Sequence, residues 1–96
     1  MPPSVTIKGN LFTLNNRALM DLSNVWGGMG FAIQLFVSEC GDFVGFAPKS
    51  SDKTLTGQPK TVSSVEAIER LGVSRVDTPR IELKLENNIL VGKVRD

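Results

Sequence analysis

Apolar and polar residues alternate with a period of two from Val5 to Leu14, which predicts a single N-terminal strand with one buried face. A spacing of three and four residues follows, and its apolar members form one stripe along a predicted helix: Ala18, Leu19, Leu22, Val25 and Trp26. We expect Asn15 or Asn16 to cap the start of this helix. The glycine-rich run 27–30 ends it, because glycine readily adopts the left-handed conformation found at helix ends.

The clearest strand pattern covers Phe31 to Ser38, and a second strand, Phe43 to Ala47, returns after a predicted turn at 39–42. If Ser38 lies opposite Phe43, the apolar faces of the two strands coincide. This register places Val37 opposite Val44, Leu35 opposite Phe46, and Phe36 beside Gly45.

The last third of the chain predicts a helix and a hairpin. Ser63 and Glu66 have capping-box spacing, Glu66 and Arg70 are an i,i+4 pair, and Gly72 ends the helix. Asn87 and Asn88 suit the two positive-φ positions of a tight turn. The resulting hairpin register contains four predicted pairs: Leu85 with Leu90, Leu83 with Gly92, Ile81 with Val94, and Glu82 with Lys93.

These elements predict one α+β domain over residues 1–96. We expect about five mainly antiparallel strands, arranged as two hairpins plus an N-terminal strand, with two helices packed on the sheet. Residues 48–60 have no periodicity and predict a long polar surface loop. A strongly curved barrel with helical insertions is the alternative fold.

The composition argues against an enzyme. The chain has no histidine and one cysteine, so it lacks the side chains that most often carry acid/base, nucleophilic and metal chemistry near neutral pH. Ser50 and Lys53 have the Ser-x-x-Lys spacing of some acyl-transfer enzymes, but they lie in a polar loop that gives neither an activating environment. Cys40 lies in a turn between acidic residues and is expected to be inert. We therefore expect no catalytic residue, no metal site and no cofactor.

The net charge of +1 is close to neutral, whereas nucleic-acid binders usually have a basic excess or a concentrated basic face. A small nucleic-acid-binding regulator is nevertheless the second functional hypothesis. It would use the 49–60 loop and the arginines near the second helix. The candidate contacts are Lys49, Lys53, Lys60, Arg70 and Arg75.

The leading hypothesis comes from four apolar residues that the strand pattern places opposite the predicted core face: Phe36, Phe43, Ile89 and Val91. A sheet with one solvated face should not carry four such residues there unless another element covers them or a partner does. We therefore predict a non-enzymatic protein-binding or assembly module, acting as a homodimer, adaptor or inhibitor. Apolar runs are too short to span a membrane, and the single cysteine favours a reducing, cytoplasmic setting.

Overall fold

A computed structural model describes residues 2–51, 57–72 and 79–94. It contains two helices, α1 (Asn16–Trp26) and α2 (Val65–Leu71). The strands are β1 (Ser4–Lys8), β2 (Leu11–Leu14), β3 (Ala32–Val37), β4 (Phe43–Lys49), β5 (Thr61–Ser63), β6 (Arg80–Glu82), β7 (Lys84–Glu86) and β8 (Ile89–Lys93). The predicted α+β class is confirmed, but there are eight described strands in two sheets rather than about five in one.

Both sheets are antiparallel and four-stranded, with the orders β5-β2-β1-β6 and β3-β4-β8-β7. Their inner faces share one core: Phe12 of β2 meets Phe46 of β4 edge to face, with ring centroids 6.2 Å apart. The chain passes from one sheet to the other between β6 and β7, which are consecutive along the sequence. The described strands do not close a barrel, because β3 and β5 are both edges.

The N-terminal segment is a hairpin, not the single strand predicted. Gly9 has φ +60° and forms a two-residue turn with Asn10, which pairs Lys8 with Leu11. The turn reverses the chain, so the buried residues after it are Phe12 and Leu14, and Leu11 is 40% exposed. The alternation of apolar and polar residues from Val5 to Leu11 runs across this turn, so it does not indicate one continuous strand.

Helix α1 begins and ends as predicted. Asn15 is its N-cap, and its Oδ1 accepts a hydrogen bond from the Ala18 N–H at 2.8 Å. Gly27 ends the helix in the left-handed conformation. The apolar stripe buries Ala18, Leu19 and Leu22, but its last member, Trp26, is 43% exposed.

The predicted register of β3 and β4 is confirmed, including the pairs Val37 with Val44 and Phe36 with Gly45. Strand β4 continues through Lys49, two residues into the predicted loop 48–60. The connecting turn packs closely against α2. Gly41 has φ +75°, and a Cβ there would clash with the Arg70 carbonyl.

Helix α2 is present, but the predicted capping box is wrong. Ser64, not Ser63, is the N-cap, and its hydroxyl accepts from the Ala67 N–H at 3.1 Å. Ser63 instead belongs to β5, where it pairs with Leu11. The Glu66–Arg70 ion pair (3.7 Å) and the Gly72 helix end are both confirmed.

The turn of the C-terminal hairpin is confirmed, with φ +51° at Asn87 and +67° at Asn88. Leu85 pairs with Leu90 as predicted. The rest of the predicted register is wrong, because the chain changes sheets at Leu83, whose N–H donates to the Pro3 carbonyl at 2.8 Å.

Strand β6 therefore pairs with β1, with Val5 opposite Ile81 and Ser4 opposite Glu82. The predicted pair of Glu82 with Lys93 is absent, because β6 is an edge of its own sheet and does not pair with β8. On its other side β8 pairs with β4, where Lys93 lies opposite Phe43. Neither described helix has the length and apolar character needed to span a bilayer.

Candidate functional site

The strand register brings the four predicted interface residues together on the outer face of the β3-β4-β8-β7 sheet. Phe36, Gly45 and Val91 lie side by side on three adjacent strands. Phe43 and Ile89 occupy neighbouring rows of the same face, on β4 and β8. We call this surface the outer face.

Gly45 is the floor of a hollow in the outer face. A Cβ at this position would lie 3.3 Å from the Ile89 Cγ2 and 3.6 Å from the Phe36 Cβ. The hollow has a volume of about 250 Å³, and its walls include Phe43 and Val91. Phe36 and Ile89 thus already cover the buried Gly45, and the space open to a side chain from outside lies above them, between the walls of the hollow.

The walls of the hollow are accessible. Phe36 and Phe43 are 41% and 43% exposed, and Ile89 and Val91 are half-buried. The sequence also allows another element of the same chain to cover these residues. No described element does so to the two phenylalanines.

Charged residues surround the hollow, and cations outnumber anions. Three lysines lie on the outer face by register. Lys93 is the next outer-face residue after Val91 on β8, and Lys84 of β7 lies opposite Val91. Lys49 is the last outer-face residue of β4. The one acidic residue on this face of the described sheet, Glu86, lies 3.9 Å from Lys84. The outer face is therefore apolar at its centre and net positive at its rim.

A second depression, the β3 groove, lies along the free edge of β3, with β5 and α2 as its other wall. Its volume is about 460 Å³, and it is lined by Ile33, Leu35 and Val37 of β3 and by residues of β5 and α2. Of the predicted nucleic-acid contacts, Lys49 and Arg70 line this groove.

Among the described residues, the remaining predicted nucleic-acid contact, Lys60, does not line the groove. Lys60 is exposed just before β5, and its carbonyl accepts from the Leu14 N–H. Lys53 and Arg75 lie outside the described residues. Arg70 is partnered by Glu66, which reduces the positive charge of the groove.

Gln58 is a residue that sequence reasoning missed. Its side-chain amide forms hydrogen bonds with the backbone just before β3. The Oε1 atom accepts from the N–H groups of Gly30 (2.8 Å) and Phe31 (3.1 Å). Its Nε2 donates to the Phe31 carbonyl at 2.9 Å. A glutamine in an aperiodic loop gives no sequence signal for such a contact.

The residues considered for enzymatic chemistry do not form a site in the described parts of the chain. Cys40 is exposed, and its Sγ lies 3.7 Å from the Ser38 Oγ. Ser50 is exposed, and its proposed partner Lys53 lies outside the described residues. Residues 2–51, 57–72 and 79–94 hold no cluster of three or more potential metal ligands.

Comparisons with protein-family models, with curated proteins and with solved structures find no match.

Proposed function

We propose that this chain is a non-enzymatic, cytoplasmic protein-binding module whose contact surface is the outer face. The observation that carries the proposal is the hollow over Gly45, whose apolar walls are exposed on a folded sheet. Burying an aliphatic or aromatic side chain contributes roughly 1.5–3 kcal/mol. A partner side chain in the hollow would recover this free energy from both surfaces.

The rim charges favour another protein over a second copy at this face. Stacking the outer faces of two copies would bring together two rims that are both net positive. Each rim carries three lysines, Lys49, Lys84 and Lys93, and one acidic residue, Glu86. Like charges across an interface cost free energy, whereas an acidic rim on the partner would be attracted. We therefore propose a partner that presents one apolar side chain surrounded by acidic residues. The chain would act on this partner as an adaptor or as an inhibitor.

The size of the outer face sets the expected strength of binding. Four strands about 4.8 Å apart and about five residues long cover roughly 320 Å². A standard interface buries about 800 Å² on each partner. Binding should therefore depend strongly on the anchor in the hollow, as it does at interfaces dominated by a few central residues.

A photo-reactive residue tests this proposal in cells of the native host. p-Benzoylphenylalanine replaces Phe43 in one variant and Trp26 in a matched control, because the two aromatic residues are equally exposed at 43%. We expect a discrete adduct from position 43, none from position 26, and loss of the first adduct on adding Val91→Lys. The mass of the adduct from position 43 should equal the mass of this chain plus that of a different protein.

Three outcomes would contradict the proposal. Identical adducts from positions 43 and 26, or none from position 43, would show that the outer face is not a specific contact surface. An adduct at twice the mass of the chain would instead assign this face to a homodimer.

Nucleic-acid binding is the second candidate function, and the observation that favours it is the placement of Lys49 and Arg70 along one groove. Phosphate contacts make affinity fall steeply with salt. A labelled mixed-sequence oligonucleotide should then bind at low salt and be released by Lys49→Ala with Arg70→Ala. The matched control, Lys8→Ala with Arg17→Ala, removes two cations that do not line the groove.

A further inference from the structure

A second hollow lies beside the hollow over Gly45, between β7, β8 and the end of β6. We call it the β7 hollow. Its volume is about 340 Å³, and its apolar walls include Leu83 and Gly92, which are both buried. The two hollows share Phe43 and Val91 as walls, so this pair of side chains separates them. The outer face therefore offers two adjacent spaces, and the β7 hollow is the larger of the two.

Four charged residues line the β7 hollow, two of each sign: Lys84, Lys93, Glu82 and Glu86. Lys84 and Glu86 lie 3.9 Å apart, so their charges largely offset each other. Lys93 and Glu82 form no ion pair with any residue in the described ranges. The walls therefore offer one ammonium that can donate a hydrogen bond and one carboxylate that can accept one.

These walls match the side chain of a tyrosine. Its ring is apolar, and its hydroxyl both donates and accepts hydrogen bonds, so it suits a hollow that carries Glu82 and Lys93. A carboxylate in the β7 hollow would be repelled by Glu82, and an ammonium by Lys93. An aliphatic side chain would remove water from both charged groups without replacing its hydrogen bonds.

The strand register sets the distance between the two hollows. Gly45, Val91 and Lys84 lie in one row across β4, β8 and β7. Neighbouring strands are about 4.8 Å apart, so the hollows lie roughly 5–10 Å from each other. Side chains three or four residues apart on a helix are about 5–6 Å apart, and those two residues apart on an extended chain are about 6.6 Å apart. One short segment can therefore fill both hollows.

The limited area of the outer face also favours a short segment. The roughly 320 Å² of its four strands is less than half of the about 800 Å² that a standard interface buries on each partner. A folded domain would therefore leave much of its own contact surface without a counterpart here. A short segment needs no larger area, because its affinity comes from a few anchors.

We propose that the partner binds through one short segment with two anchors, an aliphatic side chain in the hollow over Gly45 and a tyrosine in the β7 hollow. This inference rests on the proposed function and deepens it, because it names the part of the partner that contacts the outer face. The two anchors are two residues apart if the segment is extended, and three or four residues apart if it is helical. Acidic residues beside the anchors face the lysines of the rim.

Photo-crosslinking from each hollow tests the two anchors in cells of the native host. p-Benzoylphenylalanine replaces either Phe36, which lines the hollow over Gly45 but not the β7 hollow, or Lys84, which lines the β7 hollow but not the other. Lys8 is the matched control for Lys84, because both are exposed lysines on strands and Lys8 belongs to the other sheet. Tandem mass spectrometry then identifies the partner residue in each adduct.

We expect positions 36 and 84 to react with the same protein, at residues no more than about ten positions apart, which is the helical length that spans β3 to β7. That stretch should contain a tyrosine, and position 8 should give no such adduct. No adduct from position 36 would contradict the proposed function itself. The two-anchor segment alone would be overturned by an adduct from position 36 with none from position 84, by two sites far apart in the partner, or by a stretch without tyrosine.

A synthetic peptide with the sequence of the cross-linked stretch gives a second measurement. Replacing its tyrosine by phenylalanine removes only the hydroxyl and should weaken binding to the parent chain about tenfold. In a chain with Lys93→Met and Glu82→Met the two peptides should bind alike, because both hydrogen-bonding groups are gone. In the matched control, Lys84→Met with Glu86→Met, the difference between the peptides should remain. Equal binding of both peptides to the parent chain, or a peptide that does not bind, would overturn the proposal.

Discussion

At the scale of single residues, Asn15 links two parts of the chain that are distant in sequence. Its Oδ1 accepts from the N–H groups of Ala18 and Ser4, and its Nδ2 donates to the Pro2 carbonyl at 3.0 Å. It therefore caps α1 and also holds the N-terminal strand against the start of that helix.

We predict that Asn15→Ala lowers the free energy of unfolding by about 1–2 kcal/mol, because a cap bond and a bond to partly buried backbone are both lost. Asn16→Ala is the matched control, since Asn16 is exposed and is not the cap. Urea unfolding of both variants measures the difference. Equal midpoints for the two variants would show that Asn15 does not have this role.

The sequence predicted this cap as one of two candidates, Asn15 or Asn16, but not the bonds of Asn15 to Ser4 and Pro2. Asn before an apolar helical stripe indicates a cap through local geometry alone. The bond to Ser4 depends on tertiary packing, and nothing in a spacing pattern reports it. For the same reason Gln58 was missed, because its contacts with Gly30 and Phe31 depend on how a loop returns to β3.

At the scale of elements, the crossing of β6 and β8 depends on Gly92. A Cβ at Gly92 would lie 2.7 Å from the Ile81 Cγ2 and 2.8 Å from the Glu82 carbonyl oxygen. The two strands approach closely here because the chain changes sheets at Leu83. The tight contact involves backbone, so side-chain repacking does not relieve it.

Gly92→Ala should therefore destabilise the fold by about 1–3 kcal/mol through overpacking. Gly45→Ala is the matched control, since its nearest contact is the Ile89 Cγ2 at 3.3 Å, a side-chain atom. Thermal unfolding should show a clearly larger loss for Gly92→Ala. If the two variants have the same melting temperature, β6 and β8 do not approach each other closely at Gly92.

The elements that sequence predicted best are those whose pattern and pairing are both local. The β3–β4 register was correct because two apolar faces and a four-residue turn allow one alignment. The N-terminal hairpin was missed because Val5, Ile7, Gly9 and Leu11 alternate across the Gly9–Asn10 turn. Strand β5 has three residues, which is too short to show a period.

No feature of the sequence pattern indicates that the chain changes sheets at Leu83. Ile81, Leu83 and Leu85 alternate without interruption, and each is followed by a charged residue. Periodicity reports that a strand has an apolar side, but it does not report which neighbour the strand pairs with. The sequence therefore placed Ile89 and Val91 on the outer face correctly while assigning the wrong partners to β6.

At the scale of the whole molecule, the β3-β4-β8-β7 sheet carries two surfaces that face different directions. The outer face lies above the sheet and is apolar with a positive rim. The β3 groove lies between β3 and the segment formed by β5 and α2, and Lys49 and Arg70 line it. Different chemistry at each surface predicts that they act independently.

Two variants separate these surfaces. Val91→Lys places a charge in the wall of the hollow, so we expect it to lose the photo-adduct at position 43 and to bind the oligonucleotide at low salt as the parent does. Arg70→Ala removes a cation that lines the β3 groove, so we expect it to retain the adduct and to bind the oligonucleotide more weakly. If either variant lost both the adduct and the oligonucleotide while its circular dichroism and melting temperature matched the parent, the two surfaces would form a single interface, because binding at one would then require the other.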